Sequence, residues 1–183
     1  MKNTYYFITV ITMLFCCSAK AQSSGGGSGQ DSRLSLVEVV SASLFASDSS
    51  NTSSINIPIG GINALADGTE SHEIEVTLQS TSDYDVSVSS SSEYFTYNGT
   101  ASNPTPMLVK DVLSIKITAN NTGGAVSNGF TQYQPIDGSL NQLIIATGLS
   151  GSRTFSFKYM AQPGFNYPAG TYTTDIVYTI TKK

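Results

Sequence analysis

The chain has 183 residues, with nine Lys and Arg against thirteen Asp and Glu, a formal net charge of −4 and no tryptophan. An acidic chain without a basic patch is poorly suited to nucleic acid, or to anionic lipid held by charge. One histidine and two cysteines leave too few ligands and bases for an ordinary zinc site or a hydrolytic triad.

In chain order, Lys2 gives a positive start and residues 5–17 (YYFITVITMLFCC) form an apolar run. Ala19-Lys20-Ala21 has the small-x-small form of a cleavage site, so residues 1–21 read as a signal peptide. The apolar run is short for a spanning helix, which needs about 20 residues, so no stable membrane insertion is expected after its removal. Cys17 could carry a lipid, but bulky Leu14, Phe15 and Cys16 precede it, and lipidation is the less favoured reading. Cleavage removes Cys16, Cys17, Lys2 and Lys20, leaving 162 residues without a thiol and with a net charge of −6. The expected location is therefore secreted or at the cell surface, with stability supplied by packing alone.

Residues 22–32 (QSSGGGSGQDS) are a flexible Gly/Ser-rich leader. Residues 33–183 read as one all-β domain, a two-sheet antiparallel immunoglobulin-like β-sandwich of about eight strands. Its first stretch, 33–45 (RLSLVEVVSASLF), places Leu34 and Leu36 on one face and Val37 and Val39 on the other. Either a bulge near Leu36 joins the two halves, or the strand is buried on both sides. Residues 55–59 (INIPI) form a short strand that Pro58, lacking an N–H, assigns to a sheet edge. A turn of helix is expected within 62–71.

Residues 72–80 alternate Ile74, Val76 and Leu78 inward, and 84–89 do the same with Tyr84, Val86 and Val88. Thr81-Ser82-Asp83 between them reads as a hairpin turn. A strand over 93–97 ends at Asn98-Gly99, and 112–118 carries Leu113, Ile115 and Ile117 on one face. After a loop over 120–134 comes a strand at 140–146. The chain closes with two strands, 153–161 and 171–183, expected in one antiparallel sheet and joined by the Pro163-Gly164 and Pro168-Ala169-Gly170 turns.

Few residues could carry chemistry. His72 opens a strand among glutamates, without a partnering constellation. Asp83 and Asp85 share a strand face and read as solvated charges rather than as a calcium site or a glycosidase pair. Tyr94, Phe95 and Tyr97 are the candidate stacking surface for a sugar ring, against the alternative that they belong to the core. No cofactor, catalytic residue or metal ligand is expected.

The closing run 168–181 (PAGTYTTDIVYTIT) resembles the last strand of bacterial secreted β-sandwich subunits, the spore-coat-protein-U-like and archaic chaperone–usher pilin proteins. The paired cysteines of that family are missing here. Gly170 and Tyr172 also fit a structural corner, in which a tyrosine at a strand start bonds back across the turn. The resemblance implies subunits that polymerise by strand donation, an N-terminal segment of one filling an open groove in the next. Leu34, Leu36, Val37 and Val39 would be that donor; alternatively 33–45 is the first strand of its own sandwich. The expected function is a non-enzymatic, exported structural or adhesive subunit of fimbrial type. Its partners would be itself or other surface subunits; the rival reading is a carbohydrate-binding module that contacts glycans.

Overall fold

The computed structural model describes residues 7–18, 42–44, 53–127 and 129–183. In chain order the elements are β1 (Phe7–Ser18), β2 (Ala42–Leu44), β3 (Ser53–Gly60), α1 (Ile62–Asp67), β4 (Thr69–Glu70), β5 (Ile74–Ser80), β6 (Tyr84–Ser90), β7 (Thr96–Asn98), α2 (Val109–Val112), β8 (Leu113–Asn120), β9 (Ala125–Val126), β10 (Gln134–Pro135), β11 (Gln142–Gly148), β12 (Gly151–Ala161) and β13 (Gly170–Lys182). They build an all-β protein of two sheets. One runs β3-β1-β13-β6-β11-β9, with β7 also on β13; the other runs β10-β8-β12-β5-β2, with β4 on β12. Pairing is antiparallel throughout the described residues except for β1 with β3 and β2 with β5, both parallel.

The alternation read from the sequence sets the two faces. Ile74, Val76 and Leu78 of β5 are buried, as are Tyr84, Val86 and Val88 of β6 and Leu113, Ile115 and Ile117 of β8. Between the sheets, Phe155, Phe157 and Tyr159 of β12 meet Tyr172, Ile176 and Tyr178 of β13 in one apolar cluster. The Phe157 and Tyr178 rings lie 5.3 Å apart, and the Tyr159 and Tyr178 hydroxyls share a 2.7 Å hydrogen bond across the core. Burial of rings this large supplies much of the stabilisation of the two packed sheets.

Two connections differ from the sequence reading. β5 and β6 do not form a hairpin: β5 pairs with β12, β6 with β13 and β11, so 81–83 is a corner that changes sheets. β12 and β13 likewise lie in opposite sheets, and the 162–169 connection crosses the end of the sandwich. Both segments carry turn residues, and a turn dipeptide fixes a change of direction without fixing which sheet receives the next strand. Pro58 does lie on an end strand, β3, and α1 supplies the short helix after it. Of 33–45, Ala42–Leu44 forms β2 beside β5; Leu34, Leu36, Val37 and Val39 lie outside the described residues.

Candidate functional site

The position between β3 and β13 is where this sandwich is most unusual. β3 and β13 are not paired with each other among the described residues; β1 lies between them. It runs antiparallel to β13 from Phe7 opposite Ile180 to Cys17 opposite Gly170, and parallel to β3 from Ile11 beside Ser53 to Ser18 beside Gly60. β1 belongs to the segment read from sequence as a signal peptide. Its Ile8-Thr9-Val10-Ile11-Thr12 core is rich in β-branched residues, a composition that suits a strand as well as an export signal.

The walls of this slot are apolar with one exception. On β3, Ile55, Ile57 and Ile59 are buried, because alternation turns them to the core while Asn56 and Pro58 face away. On β13 the inward row is Tyr172, Thr174, Ile176 and Tyr178, all buried. Tyr172 donates its hydroxyl to the Pro168 carbonyl at 2.8 Å, and Tyr178 is satisfied by Tyr159. The Thr174 hydroxyl has no hydrogen-bond partner among the described residues. Burial pushes the Tyr159 and Tyr178 phenols well above their ordinary range, so both are neutral donors or acceptors at any physiological pH.

At the mouth of the slot, Tyr97 of β7 packs on Tyr172 at 5.1 Å, donates to the Ala169 carbonyl at 3.0 Å and accepts from the Ala101 N–H at 3.1 Å. Gly170 is required there by space: a Cβ would overlap the Tyr97 ring and stand 3.1 Å from the Asn98 carbonyl oxygen. Gly170 and Tyr172 thus sit in one structural corner together with Tyr97.

The three aromatics proposed from sequence for glycan stacking are not presented together. Tyr94 is 46% exposed, Phe95 is 7% exposed in the core, and Tyr97 is half-buried in the corner just described. A small pocket of about 50 Å³ near Tyr94 is lined by Glu93, Leu108, Lys110, Asp137 and Gly138. That is well below the ~300 Å³ at which small-molecule sites begin. Asp83 and Asp85 are not merely solvated: Asp83 accepts from the Ser150 N–H at 3.1 Å. Asp85 accepts from the Thr147 N–H at 2.7 Å and pairs with Lys183 at 3.2 Å. They staple the β11–β12 turn to the start of β6. His72 is exposed and lies two residues before β5. Glu70 lies beside Lys158 at 3.2 Å and Lys116 at 4.0 Å on the outer face of the second sheet, an exposed network of small energetic weight.

Sequence reasoning named a donor strand but missed the slot that would receive one. The signals were the proline-marked edge strand β3 and the long aromatic alternation of β13, whose placement on the two sides of β1 only the sheet order reveals. No helix among the described residues is long and apolar enough to cross a membrane. No protein-family model, curated protein or solved structure matches this chain.

Proposed function

We propose that this chain is an exported, non-enzymatic structural subunit of a surface assembly, an immunoglobulin-like sandwich that accepts an apolar strand between β3 and β13 once residues 1–21 are removed. The observation that carries this reading is the slot itself. Two strands, each with a buried apolar row, are joined in the sheet only through a segment with the form of a cleavable leader. Its removal would strip β3 of its only described ladder and give β13 a free edge along 170–180. An unpaired apolar edge next to an open core is costly in water and is met by adding a strand, which supplies main-chain hydrogen bonds and alternate side chains together.

Of the three aromatics read as a glycan-stacking surface, Tyr94 alone is exposed, since Phe95 is in the core and Tyr97 in the corner. Light scattering on the chain recovered from an exporting bacterium, its leader removal verified by mass, tests the proposal. A ladder of multimers that becomes monomeric on deletion of residues 22–45 is expected. A processed wild type that stays monomeric at every concentration would overturn it.

A further inference from the structure

We infer that the end of the sandwich carrying Ile62 and Phe165 is a lipid-contacting tip, by which the processed domain rests reversibly on a zwitterionic bilayer. This goes beyond the strand-accepting reading above and does not depend on it.

Ile62 is 74% and Phe165 64% exposed, the two highest values among the large apolar side chains on the described surface. Single exposed apolar residues are ordinary, but these two stand on neighbouring loops at one end of the molecule. α1 buries none of its six residues fully: Ala64 and Leu65 lean on the core while Ile62 stands clear of it. Phe165 follows Gly164, whose φ of 66° lies in the left-handed region that glycine adopts without strain. The two loops are tied together. The Gly164 N–H donates to the Leu65 carbonyl at 3.0 Å, and the Gln162 Nε2 donates to the Ala66 carbonyl at 2.6 Å. Both tips are thus preformed, and little conformational freedom is lost when they enter another phase.

Charge selects that phase. Residues 60–66 and 162–170 contain no Asp, Glu, Lys or Arg. Charged groups begin beside them, at Asp67 and at Lys110 and Asp111 of α2, whose Val112 carbonyl accepts from the Gln162 N–H at 2.9 Å. The opposite end is built of ions instead: Asp83 accepts from the Ser150 N–H, Asp85 pairs with Lys183, and Arg153 donates to the Ser150 carbonyl. A neutral apolar tip on a chain of net charge −6 after removal of residues 1–21 suits an uncharged headgroup layer, whereas an anionic surface would repel the rest of the domain.

The leader points to the same end. β1 finishes there, with Ser18 beside Gly60 and Cys17 opposite Gly170, and the Ala19-Lys20-Ala21 motif follows directly in sequence. A signal peptide is cut at the bilayer surface, so the precursor presents this end of the domain to lipid before cleavage.

The chain has no tryptophan. Phe165→Trp in the full-length chain, exported and processed by the host, is therefore a sole reporter of the tip. Leu149→Trp, in the turn between β11 and β12 at the opposite end, is its control. With phosphatidylcholine vesicles the emission of Phe165→Trp should shift to the blue and be quenched by brominated acyl chains, while that of Leu149→Trp stays unchanged. In flotation, Ile62→Ser/Phe165→Ser should lower the partition coefficient roughly tenfold to a hundredfold at an unchanged urea midpoint, since neither side chain is in the core. Phosphatidylserine added to the vesicles should weaken wild-type partition. A wild type that never floats, equal partition of wild type and double variant, or binding that strengthens with phosphatidylserine would each overturn the inference. So would a blue shift of Phe165→Trp that grows with protein concentration and needs no lipid, because the tip would then meet a second copy.

Discussion

The Tyr159–Tyr178 hydrogen bond joins the two sheets through the core, and its energetics are those of a buried donor that must not be orphaned. Tyr178→Phe leaves the Tyr159 hydroxyl without its partner and should cost about 1–3 kcal/mol in urea unfolding. The double variant with Tyr159→Phe should be no worse than the single one, because it removes both polar groups. Both phenols are raised above the ordinary 10.0, first by burial and then, for Tyr178, by its neighbour. In the folded state they keep their protons while the unfolded chain loses its own. Stability is therefore undiminished below pH 10.0 and falls as pH rises beyond it, and the double Phe variant should show a shallower alkaline decline. Gly170 is a second single-residue test. Gly170→Ala pushes the Tyr97 ring off Tyr172 and should lower stability by roughly 1–3 kcal/mol. Tyr97→Ala should add less than its own full cost on top, since the two changes break one contact.

At the scale of elements, the faces of β5, β6, β8 and β13 were legible because period-two alternation depends only on the strand's own residues. The sheet to which each strand belongs was not, since that depends on partners distant in sequence. Residues 81–83 look like a hairpin turn for this reason, yet the chain there crosses from one sheet to the other. What fixes the crossing is long-range: Asp83 and Asp85 accept backbone N–H groups of Ser150 and Thr147, sixty and more residues away. Thr147 also holds a positive φ of 54°, a conformation its neighbours must enforce. Asp85→Ala removes both the acceptor for the Thr147 N–H and the partner of Lys183. A loss of about 1 kcal/mol is expected from thermal or urea unfolding, with faster amide exchange confined to 147–150. An unchanged exchange profile there would mean that the corner is held by other contacts. Residues 5–17 were illegible as a strand for a related reason: a run of thirteen residues, apolar but for Thr9 and Thr12, suits an export signal and a strand equally.

For the whole molecule, the proposed removal of residues 1–21 would take β1 out of the sheet and leave the sandwich open between β3 and β13. β3 runs antiparallel to β13, because it is parallel to β1 and β1 is antiparallel to β13. It could therefore close onto β13 by moving one strand spacing, about 4.8 Å. Against closure, Ile55, Ile57 and Ile59 are already seated in the core, and β3 is anchored at its end by α1. Shifting the strand would drag three buried isoleucines across packed aromatic rings, and cores resist such displacement more than an edge resists solvation. Amide exchange distinguishes the outcomes because successive amides of β13 point to opposite sides. Along 176–180, alternate N–H groups face β6 and should remain protected in the processed monomer, since that ladder is intact. The amides between them face the slot and should exchange faster by roughly two orders of magnitude, then regain protection when subunits assemble. Uniform protection of both sets in a monomer would mean that β3 has closed the sheet, and the chain would then have no place for a neighbour's strand.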